Sequence, residues 1–171
     1  MQWVPEAIWF CKRVGSTHDR TMSEILFYQL KGQTPEQVLP ALLQRSLDRG
    51  WRVVVQASSQ ERIDALDAHL WTWRDDAFIP HGTWRDSEAA EHPVLLTLDG
   101  DNPNGAVVRF LIEGAPMPED ASAYQRIVLL FDGDDTEALE AARARWSDAK
   151  SAGFEVTYWR TDEKDGWRRQ D

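Results

Sequence analysis

"EILFYQLKGQTPEQVLPALLQRSLDRGWRVVVQA", Glu24 to Ala57, carries the reading of the fold. "EILFYQL" (Glu24 to Leu30) is an apolar, strand-forming run. Thr34 stands where a helix N-cap belongs, Pro35 at the first helical position, and Gln37 three residues on, which is the spacing of a capping box. Val38, Leu42, Leu43 and Ser46 or Leu47 recur at helical spacing, and Gly50 ends the stripe. Pro40 removes a donor from the second turn and should bend the helix slightly. "WRVVVQA" (Trp51 to Ala57) then reads as a buried strand. Strand, helix, strand at this spacing is the unit of an α/β sheet.

The alternation continues downstream. Ser58 and Glu61 have capping-box spacing ahead of a helix through Leu70 and Trp71, with Ile63, Leu66 and Leu70 on one face. Strands are predicted at "VLLTL" (Val94 to Leu98), "AVVRFLI" (Ala106 to Ile112), "RIVLLF" (Arg126 to Phe131) and "EVTYW" (Glu155 to Trp159). A long helix from about Asp135 to Ala152 precedes the last of them and ends at Gly153. Thr83 to Pro93 is polar and reads as loop. The expected class is therefore a single α/β domain, a twisted, mostly parallel sheet with helices on both faces. No G-x-x-x-x-G-K-[ST] or G-x-G-x-x-G cradle follows any strand, so the pattern does not bring phosphate binding with it.

The chain's 171 residues suit one domain with a real core. A formal net charge of −10 argues against a protein whose main work is neutralising phosphates, whether on DNA or at a membrane surface. The single cysteine, Cys11, offers neither a disulfide framework nor a cysteine zinc site, and a reducing, cytoplasmic setting is expected. No apolar run reaches the roughly 18 to 20 residues that span a bilayer. Residues 1–21 have no clear period and are expected to be a disordered or mis-annotated extension, with Met22 as the start of a domain running to residue 161. Residues 162–171 are charged and expected to fray.

Few motifs carry chemistry. "DGDNPNG" (Asp99 to Gly105) has turn chemistry, and Pro103 stands where a calcium loop needs a side-chain ligand. "FDGDDTE" (Phe131 to Glu137) matches the two-aspartate spacing of phosphotransferases that work through an aspartyl phosphate, with Asp132 as nucleophile and Asp134 as proton shuttle. The competing reading is that Asp134 and Asp135 cap the helix that follows. His18, His69, His81 and His92 show no metal-ligand spacing, and no metal or cofactor is expected.

Aromatic surface is the more informative feature. "HLWTWRDDAFIPHG" (His69 to Gly82) gathers Trp71, Trp73 and Phe78 around an acidic turn, either as cover for a sheet edge or as a groove for another protein's side chain. On the long helix, Arg143 and Trp146 are three residues apart and hence neighbours. They read either as an arginine lying over an aromatic or as a cationic fork beside an aromatic wall, suited to a peptide's terminal carboxylate and last apolar side chain. A direct single-strand binder that stacks bases on these aromatics is a third possibility.

Taken in order, "FYQL", "ALLQRSLDRGWRVVVQ", "LDAHLWTWRDDAFIPHG", "NPNGAVVRFLI" and "IVLLFDGDD...ARWSDAKSAGFEVTYW" resemble the chi subunit of the bacterial DNA polymerase III holoenzyme from Met22 to Trp159. The resemblance implies a non-catalytic adaptor in DNA replication, with a nucleotide-binding-like α/β fold that lacks the phosphate loop. It implies binding of the acidic, Pro-Phe-ending C-terminal tail of the single-stranded-DNA-binding protein. It further implies a link through the psi subunit to the clamp loader, a possible helicase partner, and no strong direct binding of nucleic acid. It implies a tail pocket walled by Trp71 and Phe78 and completed by Arg143 and Trp146. Ser147 departs from the lysine that relatives can carry there, and Arg74, Arg145 and Lys150 are the candidates to replace it.

Overall fold

Both sides of β1 (Glu24–Leu30) are buried, because a central strand of a parallel sheet is covered on each face. Ile25 and Phe27 point into one apolar layer, and Leu26, Tyr28 and Leu30 into the other. The computed structural model describes residues 23–162 and 166–170. The expectation for residues 1–21 lies outside the described residues.

After β1 come α1 (Pro35–Asp48), β2 (Val53–Gln56), α2 (Gln60–Thr72), β3 (His81–Thr83) and β4 (Val94–Thr97). The chain continues through β5 (Val108–Ile112), β6 (Arg126–Asp132), α3 (Thr136–Ser151), β7 (Glu155–Asp162) and β8 (Gly166–Gln170). The described residues form one eight-stranded sheet in the order β3-β4-β2-β5-β6-β1-β7-β8. Every neighbouring pair is parallel except β7 with β8. The α/β expectation holds.

The direction of each crossover decides which face a helix covers. From β1 the chain moves toward β2 and then β3, and α1 and α2 lie together on one face, with Leu39, Leu42, Ile63, Leu66 and Leu70 in that layer. From β6 it moves the other way to β7, and α3 lies on the opposite face with Ala142 and Ala149 buried against Ile25, Phe27 and Ile127.

Local signals mostly act as expected. The Thr34 N–H donates to Gln37 Oε1 at 3.0 Å, and α1 runs on through the buried Pro40. Gly50 and Gly153 take φ of 75° and 85° just past α1 and α3, the left-handed turn that closes a helix. For α2 the N-cap is Ser59 rather than Ser58, and no side-chain cap bond forms.

Two strands differ from the sequence reading. The three-residue β3 spans the end of the aromatic stretch and the first residue of the expected loop, too short to display a period. The expected frayed tail is corrected for Gly166–Gln170, which pair antiparallel with β7. Trp167 is buried with its ring 4.8 Å from that of Tyr28, so one aromatic side chain anchors an otherwise charged segment.

Candidate functional site

Helix α3 begins on a carboxylate. Asp135 accepts hydrogen bonds from the N–H groups of Glu137 at 2.9 Å and Ala138 at 3.3 Å, and Asp132 Oδ1 accepts from the Asp134 N–H at 2.8 Å. The aspartate run is thus organised as a helix start, with Asp135 as the cap. Above it, at the carboxyl ends of β1 and β6, chain connections leave in opposite directions, and a cavity of about 710 Å³ opens. Such crevices receive phosphates in related architectures. Here Glu36, Glu113, Asp132, Asp135 and Glu137 line it, with Arg62 bound to Glu113 at 2.5 Å and 3.6 Å from Glu36. A phosphate entering that crevice meets mainly carboxylates, and repulsion opposes it. Among the described residues, no cluster of three or more His, Cys, Asp or Glu side chains could hold a metal ion.

Further along α3, Trp146 is half-buried, its ring 5.4 Å from Phe27 and 5.7 Å from Tyr158 in edge-on contacts. Arg143, one turn earlier, is exposed and makes no hydrogen bond or ion pair among the described residues. Burial pushes the Tyr158 phenol up, and the nearby charges of Arg143 and Arg160 oppose that rise. An uncommitted guanidinium therefore stands close to an aromatic wall of Trp146 and Tyr158. Of the three cations considered as replacements at Ser147, only Lys150 lies here, 4.8 Å over the Trp146 ring. Arg145 points along the other flank and donates to the carbonyls of Ala115 at 2.9 Å and Gly114 at 3.2 Å. Arg74 is paired with Asp76 at 2.7 Å, and that guanidinium holds the Asp76 carboxyl below its ordinary range.

Trp71 and Phe78 form a second site. Their rings lie 5.9 Å apart, and with Trp84 they are the exposed large apolar side chains among the described residues, Trp71 59% and Phe78 65% exposed. Trp71 also packs 4.9 Å from the imidazole of His81. That buried ring hydrogen-bonds through Nδ1 to Ile79 O at 2.7 Å, and its Nε2, which makes no hydrogen bond, lies 3.2 Å from Asp67 Oδ1. The ledge is thus two exposed rings resting against a buried imidazole held through Nδ1. An exposed aromatic pair of this kind is a candidate interaction surface.

The four-residue pocket expected from the sequence is not one pocket. Trp71 belongs to α2, whose buried residues share the layer of α1, and Phe78 touches Trp71; Arg143 and Trp146 belong to α3 across the sheet. Each pair stays together, and the two pairs face opposite ways. Strand order imposes this, and no spacing within a helix or loop reports strand order. Sequence reasoning also missed Tyr158, whose place beside Trp146 follows from the β1–β7 register.

The model of the family described as "DNA polymerase III chi subunit, HolC" matches residues 22–157. The chain is 33% identical over 139 residues to the DNA polymerase III subunit chi of Pseudomonas aeruginosa, covering 78% of this chain and 93% of that protein. It is 23% identical over 117 residues to the probable DNA polymerase III subunit chi of Rickettsia prowazekii, covering 65% of this chain and 71% of that protein. In fold it is similar to the C-terminal domain of the DEAD-box protein Dbp5, with a TM-score of 0.54 at 13% identity over 86% of this chain and 95% of that one.

Proposed function

The chain belongs to the DNA polymerase III chi subunit family, and from that premise we propose that it is a non-catalytic adaptor joining two protein partners through opposite faces of its sheet. One partner is the acidic C-terminal tail of the single-stranded-DNA-binding protein, taken at Arg143 and Trp146. The other is the clamp loader, reached through a psi-type subunit that packs on Trp71 and Phe78. A helicase could use the same ledge in place of psi. The adaptor works in the cytoplasm, where replication occurs; no helix among the described residues is long and apolar enough to cross a membrane.

The carrying observation is the uncommitted Arg143 guanidinium beside Trp146, with the exposed Trp71–Phe78 pair on the other face. A linker needs two independent surfaces, and these two differ in kind. A guanidinium suits a terminal carboxylate, to which it can donate two parallel hydrogen bonds. An aromatic ledge suits the apolar stripe of a partner helix.

Magnitudes support a modest complex on the α3 side. Burying one phenylalanine side chain contributes roughly 1.5–3 kcal/mol, and charge-assisted hydrogen bonds to the carboxylate about 1.5–3 kcal/mol. Micromolar affinity corresponds to about 8 kcal/mol, so several such contacts must coexist after association costs. The chain's net negative charge does not forbid an acidic partner, because exposed charges farther than about 8 Å are largely screened at physiological salt.

Calorimetry of the full chain against a synthetic acidic peptide ending in Pro-Phe, with the C-terminally amidated peptide as control, tests the reading. Binding of the free acid, loss on amidation and loss in Arg143→Ala are the expected results. Phe78→Ala should bind the peptide normally. Undiminished binding by Arg143→Ala overturns the assignment.

A further inference from the structure

The three large apolar side chains that the described residues expose, Trp71, Phe78 and Trp84, all border one helix. Gln60, Asp64, Asp67 and Trp71 stand on α2 at i, i+4, i+7 and i+11, a single helical stripe about a quarter-turn from the buried Ile63, Leu66 and Leu70. Contacts place that stripe toward β3, the edge strand. At its start Trp84, just past β3, donates from Nε1 to Gln60 Oε1 at 3.2 Å, and Gln60 Nε2 donates to Asp64 Oδ1 at 2.7 Å. Midway, Asp67 Oδ1 lies 3.2 Å from Nε2 of His81 in β3. At its end Trp71 packs on His81 and Phe78. The two aromatic ends are thus separated by ~16 Å of helix.

Between those ends the stripe is acidic. Asp64 is exposed and Asp67 half-buried, and neither pairs with a lysine or arginine among the described residues. The cations nearby are engaged: Arg85 stacks over Trp84 at 5.5 Å, and Arg74 is paired with Asp76. Two rings at one spot accept any apolar side chain, whereas aromatic anchors at both ends of a carboxylate stripe demand a matching period. A second helix supplies it, with apolar side chains at i and i+11 and Lys or Arg at i+4 and i+7. An added strand fits less well, because β3 offers only three residues to pair with. A helix laid beside α2 would also extend the layer that α1 and α2 share and cover the open edge of the sheet.

We propose that Trp84 is a second anchor of the ledge, and that the strip from Trp84 through Asp64 and Asp67 to Trp71 and Phe78 seats a basic amphipathic helix of the partner alongside α2. This rests on the reading of Trp71 and Phe78 as a partner surface and deepens it: the ledge holds one end of that helix, Trp84 holds the other, and the carboxylates between them select its charge and register. Aromatic anchors of this kind govern how slowly a partner leaves. Charges at the rim govern how fast it arrives.

The test measures association and dissociation rates of the full chain with a purified psi-type subunit at low and high salt. Trp84→Ser changes a side chain that is 41% exposed and should fold normally; it should speed dissociation about tenfold. Asp64→Lys should slow association about tenfold at low salt and less at high salt. Glu140→Lys makes the same change of net charge on α3, across the sheet, and should leave both rates unchanged. Wild-type rates in Trp84→Ser and Asp64→Lys, with capture lost in Trp71→Ser, overturn the strip and leave the ledge standing. Capture that Trp71→Ser does not weaken, or that the wild type itself fails to make, overturns the ledge as well. A wild-type dissociation rate in Trp84→Ser alone overturns the second anchor. A deficit in Asp64→Lys that salt does not relieve, or that Glu140→Lys reproduces, overturns the basic character of the helix.

Discussion

The Tyr158 hydroxyl donates to Gln29 Oε1 at 2.7 Å, tying β7 to β1 beneath α3. Burial favours the neutral phenol there and pushes Tyr158 above the ordinary value near 10. Tyr28, fully buried on the other face, is pushed up as well.

The alkaline limb of stability follows from those two shifts. A group whose pKa is higher folded than unfolded contributes stability that is complete below the unfolded pKa, near 10, and is lost as pH rises toward the folded value. Denaturant titrations at increasing pH should therefore show stability falling above about pH 10. Tyr158→Phe should flatten part of that fall. At neutral pH the same variant should lose about 1 kcal/mol, the net worth of one hydrogen bond. Ultraviolet titration of phenolate should show Tyr28 and Tyr158 ionising late in the folded chain.

A buried cation holds the turn that follows β4. Arg109 is fully buried, and its guanidinium donates to Gln56 Oε1 at 2.6 Å and to the carbonyls of Asp99 at 3.2 Å, Gly100 at 3.0 Å and Asp101 at 2.5 Å. The "DGDNPNG" segment is therefore a turn wrapped around an arginine, with Asn102 closing it by hydrogen bonds to and from Ala106. Arg109→Leu strips those acceptors of their donor inside the protein. We expect a loss of about 3 kcal/mol or more, read as a lower denaturation midpoint with an unchanged slope.

Much of this fold was legible in the order of apolar runs and caps, because β1, α1 and β2 each carry their own periodicity and boundary chemistry. Asp135 could be recognised as a possible cap from its place before a helical stripe. What could not be read was strand order. Arg143 and Trp146 could be paired from their spacing of three residues on one helix, and Trp71 and Phe78 from sharing one short segment. Joining the two pairs required knowing that α2 and α3 cross the sheet in opposite senses, which is a property of long-range pairing. β8 escaped for a different reason: "GWRRQ" has one apolar residue, and its burial depends on Tyr28, far away in sequence.

That one residue should matter. Trp167 is 8% exposed and contacts Tyr28, so Trp167→Ala removes a large buried ring. A loss of about 3 kcal/mol is expected, or roughly 6–12 °C in Tm for a chain of this size. Hydrogen exchange should show amides of β7 and β8 losing protection together in this variant. Unchanged stability and exchange would place Trp167 outside the core.

The two faces should act independently. Trp71 and Phe78 are exposed, so Trp71→Ser with Phe78→Ser should change stability by less than about 1 kcal/mol. The same pair should abolish capture of a psi-type subunit while leaving the affinity for a Pro-Phe peptide within twofold. Arg143→Ala should do the reverse. Because the sheet separates the sites and they share no side chain, their effects should add in the combined variant. Saturating the chain with the Pro-Phe peptide should not displace the psi-type partner in a competition experiment. Mutual displacement would mean that both partners use one surface, contrary to the separation of α2 from α3 by the sheet.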